Sequence, residues 1–138
     1  ETAQFVGQKL NIPLEEIKEI RERNQYGVIS GLTKKEAKEK FPKEVEKLKA
    51  HPYKNYVTDS ESYEEFVPRI EKAFDQILLK SNEKEAIAIV THGGPIKALF
   101  REYFQFGELK EIKDCAIIEI EKEGHGFHLV AMNGAKLK

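Results

Sequence analysis

The clearest periodic signal in the chain lies between residues 63 and 78, where Tyr63, Phe66, Val67, Ile70, Phe74, Ile77 and Leu78 recur every three or four positions. That spacing draws a single apolar stripe and predicts an amphipathic helix laid against a core. Ser62 and Glu65 form a capping box at its start, the serine oxygen and the glutamate carboxylate each accepting a hydrogen bond from the other residue's backbone N–H. Pro68 interrupts the pattern and is expected to bend the helix or delay its regular start. A second capping box, Thr33 with Glu36, opens a helix that Pro42 interrupts, and residues 43 to 50 add another helical turn or two. Phe5, Val6 and Leu10 keep helical spacing over residues 2 to 10 with no capping residue ahead of them, so the chain is expected to begin inside a helix.

The strand patterns are shorter. "IKEIR", residues 17 to 21, reads as a short strand, and "AIAIVT", residues 86 to 91, as a buried one. "CAIIEIEKE" and "FHLVAMN" alternate as two further strands, with "GHG" as the turn between them. The stretch "HPYKNYVTDSES", residues 51 to 62, has the composition of a loop, and His51 is read as part of it. Helices that alternate with strands give an α/β class. There is no internal repeat, and 138 residues fit one domain.

Composition adds little to that picture but excludes some functions. Charged residues make up 34% of the chain with a net charge of −1, which argues against nucleic acid or a membrane surface as partner. No apolar run reaches transmembrane length. Cys115 lies in an apolar run and is expected to be a small buried hydrophobe. His125 and His128 lack neighbours at metal-ligand spacing, so no metal site is read there.

Two stretches carry candidate chemistry. In "THGGPIK" a strand ends at Thr91, His92 stands at the mouth of the Gly93-Gly94 turn, and Pro95 starts a helix. Free backbone N–H groups at such a helix start favour an anion, and the carboxyl end of a strand is the usual ligand edge of an α/β sheet. His92 therefore either faces a ligand or satisfies its own turn. The second stretch, "IRERNQYG", crowds Glu22 between Arg21 and Arg23 and ends in Tyr26 and Gly27. A carboxylate so placed is either one half of a stable ion pair or a proton donor near a phosphate.

Taken in order, "ERNQYGVISGLTKKEAKEKFP", "ESYEEFVPRIEKAFDQI" and "VTHGGPIKAL" resemble the histidine phosphatase superfamily, whose founding members are the cofactor-dependent phosphoglycerate mutases. "ETA" at the start resembles the end of that family's Arg-x-x-(Glu/Gln)-Thr-Ala helix, and "SES", residues 60 to 62, stands where the family often has Gly-Glu-Ser or Gly-Glu-Thr. The resemblance covers the whole chain. It implies a three-layer α/β/α phosphoglycerate mutase-like domain with strand order 3-2-4-1-5-6. Residues 17–21, 86–91, 114–121 and 126–132 then supply strands three to six, and residues 1–138 form the C-terminal portion of a single domain. Strands one and two, the central strand included, are expected to come from an N-terminal part in the same or another chain.

The activity implied is phosphoryl transfer through a phosphohistidine, with hydrolysis of a small phosphorylated metabolite as the first reading. Phosphoglycerate mutase activity, or a non-catalytic phosphate-binding module without the nucleophile, are the alternatives. His92 matches the second histidine of the phosphate pocket, beside Gly93 and Gly94. Glu22 matches the acid that protonates the leaving oxygen, although it stands one residue farther from Gly27 than the mutase pattern has it, and Arg23 holds the strictly spaced position. Tyr26 and Lys34 match a tyrosine and a lysine that hold substrate, and Arg23 joins them as a substrate-binding candidate. The adjacent arginine pair of the mutases is missing from "VEKLKAHPYKNY", Gly94 replaces their asparagine, and the Arg-His-Gly nucleophile motif is absent. No cofactor or metal is implied, since arginine and histidine neutralise the phosphate. The resemblance places the protein in the cytoplasm and leaves a homo-oligomer open.

Overall fold

A computed structural model describes residues 1–50, 57–81 and 86–138. Residues 51–56, His51 included, which are the first half of the loop read at 51–62, and residues 82–85 ahead of the apolar run lie outside the described residues. The chain opens with α1 (Thr2–Leu10), which ends where Asn11 turns left-handed at φ 52° and Ile12 N–H bonds back to the Gly7 carbonyl at 3.0 Å. α2 (Lys34–Lys40) carries the Thr33–Glu36 capping box in full, and α3 (Pro42–Ala50) begins on its proline, where the missing N–H costs nothing.

α4 (Tyr63–Lys80) starts at the Ser62–Glu65 capping box and runs unbroken through Pro68. The proline stands on the exposed side, where water can take the carbonyl left without a donor. Phe66, Ile70, Ala73, Phe74 and Ile77 form its buried face. α5 (Gly93–Ala98) passes directly into a π-helical turn, Leu99–Tyr103, closed by Phe104 N–H on the Leu99 carbonyl at 2.8 Å.

The sheet among the described residues has two antiparallel strands, β1 (Leu109–Glu123) and β2 (Gly126–Leu137). The hairpin agrees with the alternation in the sequence but is longer at both outer ends. Residues 113–116 of β1 stand opposite Gly134 alone, a bulge of several residues. A Cβ on Gly134 would fall 3.2 Å from the Ala116 Cα, and its φ is +75°, so glycine suits both the space and the dihedral. Cys115 lies in this bulge at φ 58° and is exposed. The expectation of a buried thiol fails because the bulge breaks the period-two alternation that would have turned it inward.

Two strand expectations also fail. Residues 17–21 form a 3-10 turn, Lys18–Ile20, in which Arg21 N–H bonds the Lys18 carbonyl at 3.2 Å. Ile17 and Ile20 are three apart, a spacing that suits one helical turn as well as a strand, and local bonds take the donors where no neighbouring strand accepts them. Residues 86–91 belong to no sheet, and Ile87 and Val90 are 40% and 42% exposed. Only Ile89 packs on the core. The six-stranded layer is therefore not formed by the described residues.

The core lies where α4, α5 and the hairpin meet. Phe66, Ile70, Phe74, Ala98 and Leu99 form one part, and Phe100, Leu109 and Ala135 the next. Phe104 links them through edge contacts with Phe74, Phe100 and Phe127 at 5.3, 6.2 and 5.0 Å between ring centres. A smaller cluster of Ile29, Ala37 and Val57 sits under α2 and α3. Gly27 fixes the approach to it: its φ is +44°, and a Cβ there would lie 2.1 Å from the Thr58 carbonyl oxygen.

Candidate active site

Residues 86–92 run beside the 3-10 turn at 18–20, tied by Thr91 Oγ1 donating to the Ile20 carbonyl at 2.5 Å. The candidate chemistry stands just beyond this tie, at His92 next to Thr91 and at Glu22 two residues past Ile20. His92 is the N-cap of α5 in extended backbone (φ −118°, ψ 170°), its ring exposed and making no capping hydrogen bond. The helix thus begins two residues earlier than Pro95, which becomes its third residue, still within the turn whose N–H groups have no helical acceptor.

One of those donors has a partner from far along the chain. Gly94 N–H donates to Glu22 Oε2 at 2.9 Å, and Arg23 N–H donates to Glu22 Oε1 at 2.8 Å. The carboxylate is held by two backbone donors, one on its own loop and one at the start of α5. Glycine is required for this approach, since a Cβ on residue 94 would fall 1.9 Å from Glu22 Oε1. Glu22, His92, Gly93 and Gly94 are thereby brought to one place. His92 also lines, with Thr91, Arg21, residues 14–18 and Ala3 and Gln4 of α1, an open cleft of about 510 Å³ whose lining does not include Glu22 or Gly94.

The side chains of the other candidates point elsewhere, that of Arg23 included although its N–H holds Glu22. Arg23 sends Nε to the Glu61 carbonyl at 2.9 Å, and its guanidinium lies 5.7 Å from the centre of the Tyr63 ring. Tyr26 is 51% exposed ahead of the 3-10 turn Gly27–Ile29, and Lys34 is exposed at the first residue of α2. Neither Tyr26 nor Lys34 takes part in the Glu22–Gly94 contact. Among the described residues no group of three or more His, Cys, Asp or Glu side chains is arranged to hold a metal ion, and no helix is long and apolar enough to cross a membrane.

Behind the loop stands an ion pair that the reading of the sequence did not single out. Arg69 of α4 grips Glu61 with two prongs, Nε to Oε1 at 2.6 Å and Nη2 to Oε2 at 2.7 Å. Burial pushes the Glu61 carboxyl up, but the hydrogen bond and charge of Arg69, the charge of Arg21 and a bond from the Asn24 backbone outweigh it. The net result is a carboxyl held below its ordinary 4.5. The third nitrogen, Nη1, donates to the main-chain carbonyls of Glu19 and Arg21. The "SES" resemblance spans Glu61 without giving it a role, and nothing in the apolar periodicity of α4 marks the polar Arg69 between Pro68 and Ile70.

Residues 1–135 match the family model of the histidine phosphatase superfamily, branch 1. A comparison with curated proteins gives no match for the chain.

Proposed function

The chain belongs to the histidine phosphatase superfamily, and on that premise we propose that it carries the acid and the second pocket histidine of a phosphatase acting on a small phosphorylated metabolite. The observation behind this reading is the Gly94 N–H to Glu22 hydrogen bond, which joins the candidate proton donor to the turn that carries His92. Phosphoryl transfer depends on position and charge neutralisation more than on covalent chemistry by the protein. His92, exposed and free of any capping duty, is offered to the transferring group as a hydrogen-bond donor.

The proposed sequence has two steps. In the first, a nucleophilic histidine nitrogen attacks phosphorus, the bond from phosphorus to the substrate oxygen breaks, and the Glu22 carboxyl gives its proton to that oxygen. In the second, the Glu22 carboxylate takes a proton from water as the water oxygen attacks phosphorus, and the P–N bond breaks to release phosphate. The four histidines of the chain are His51, His92, His125 and His128, and none is set in an Arg-His-Gly motif. The reading therefore assigns the nucleophile to a segment outside residues 1–138. The same segment would supply strands beside residues 86–91 and complete a three-layer α/β/α domain in the cytoplasm. Tyr26, Lys34 and Arg23 are proposed as substrate-side groups.

Gly94 in place of the mutase asparagine, and the lack of an adjacent arginine pair, favour hydrolysis over transfer to a second hydroxyl. The test compares alkyl and p-nitrophenyl phosphate as substrates of the full-length protein and of its Glu22→Gln variant. A selective loss on the alkyl ester supports the acid role, because p-nitrophenolate leaves without a proton. Full activity of the variant on both esters would remove it. No turnover by the unaltered protein would favour the non-catalytic phosphate-binding module.

A further inference from the structure

The Glu22 side chain has two backbone donors, so its position is set by the main chain at the start of α5 and by that of its own loop. The loop's main chain is tied at three successive carbonyls. Arg69 Nη1 donates to those of Glu19 and Arg21, and Thr91 Oγ1 to that of Ile20 between them. Beyond Glu22 the chain is tied again, with Arg23 Nε on the Glu61 carbonyl at 2.9 Å and Glu61 N–H on the Asn24 carbonyl at 2.8 Å. Glu61 holds Arg69 with both carboxylate oxygens, and the two side chains are only 14% and 15% exposed. The guanidinium also rests on the Phe66 ring, 5.2 Å from its centre.

From this arrangement we infer that Arg69 is a positioning residue for the Glu22 carboxylate, acting through the carbonyls of Glu19 and Arg21, with Glu61 fixing its orientation. The inference rests on Glu22 being the proton donor. A guanidinium suits the task because its planar fork engages a carboxylate on one side and still offers a donor on the other. A lysine ammonium, a point charge on a flexible stem, cannot span both. The hydrogen bonds of Arg69 go to Glu61 and to the carbonyls of Glu19 and Arg21, not to the Glu22 carboxylate or Gly94, so its effect is felt as displacement of the acid rather than loss of a reacting group. A misplacement of about 1 Å can cost on the order of 10²-fold in rate.

The test uses the full-length protein with Arg69→Lys, Glu22→Gln and the double variant, each assayed on an alkyl phosphate and on p-nitrophenyl phosphate. Arg69→Lys is expected to lower kcat on the alkyl ester by on the order of 10²-fold with KM almost unchanged. The loss on the aryl ester should be far smaller, and the double variant should be little worse than Glu22→Gln alone. Equal losses on both esters, or losses that multiply in the double variant, would overturn the positioning role and leave Glu22 as the acid. Absence of a leaving-group effect in Glu22→Gln itself would overturn the acid reading and this inference with it, a result seen without touching Arg69. If Arg69→Lys does not fold, Glu61→Gln, which loosens the fork but keeps the arginine, must show the same selective loss in smaller measure. No selectivity there would equally overturn the inference.

Discussion

Gly94 N–H and Glu22 Oε2 lie 2.9 Å apart although 72 positions separate them in the chain. The contact depends on residue 94 having no side chain, for a Cβ would stand 1.9 Å from the Glu22 carboxylate. The obstructing group is the far end of a flexible side chain, so Gly94→Ala should displace the carboxylate and spare the fold. The expected outcome is a melting temperature close to that of the unaltered protein, with turnover of alkyl phosphates lost more than that of p-nitrophenyl phosphate. A large fall in melting temperature would show that Gly94 serves the helix start instead.

His92→Ala should separate function from stability in the same way. The ring is exposed and makes no capping bond, so thermal and urea midpoints should barely move. Removing one preorganised donor to a transferring group costs about 10²–10³ in kcat, and a loss of that order is expected in the full-length enzyme. Unaltered turnover would remove His92 from the pocket.

Much of this arrangement is written in local chemistry. Thr33 with Glu36 and Ser62 with Glu65 fix two helix starts through bonds between near neighbours, and the apolar stripe of α4 faces the core, with Phe66, Ile70, Phe74 and Ile77 buried and Tyr63, Val67 and Leu78 half-buried at its edges. The hairpin follows from alternation across a glycine turn. The readings that fail depend on distant partners. Residues 17–21 and 86–91 have strand-like composition, but a strand exists only beside another strand, and the described residues offer them none. Cys115 is misread because a bulge opposite Gly134 shifts the register. Arg69 is missed because its role is set by which carbonyls its third nitrogen reaches after α4 has packed.

The run at 86–90, which joins no sheet among the described residues, leads to a prediction about exchange. In residues 1–138 alone, the amides of Ile87 to Val90 should exchange with solvent nearly as fast as in a loop, since they join no ladder. In a protein that also carries the proposed N-terminal segment they should be among the slowest, protected by the strands proposed to flank them. Equal exchange in both would contradict the proposed six-stranded layer.

Glu61 gives the fold a dependence on acid. Its carboxyl is held below its ordinary 4.5 because the Arg69 bond and charge, the Arg21 charge and the Asn24 backbone bond outweigh its burial. A depressed folded-state pKa contributes stability that is fully present above the unfolded value and is lost as pH falls through the folded one. Glu36 shifts the same way through its side-chain and backbone bonds with Thr33, and Glu65 through its backbone and side-chain bonds with Ser62. Denaturation curves from neutral pH to below 4.5 should therefore show Glu61→Gln less stable than the unaltered protein at the neutral end, with the gap narrowing in acid. A gap independent of pH would mean that the Glu61 charge is not what stabilises the loop.

The most direct test of the central claim is to trap the phosphoryl-enzyme. The full-length protein, quenched during turnover of a labelled phosphate ester, should carry an alkali-stable, acid-labile phosphoryl group on a histidine outside residues 1–138, and His92→Ala should sharply reduce its rate of formation. Label on His92 itself, label that resists acid as a phosphoserine does, or turnover with no trapped intermediate would contradict phosphoryl transfer through a separate histidine at this site.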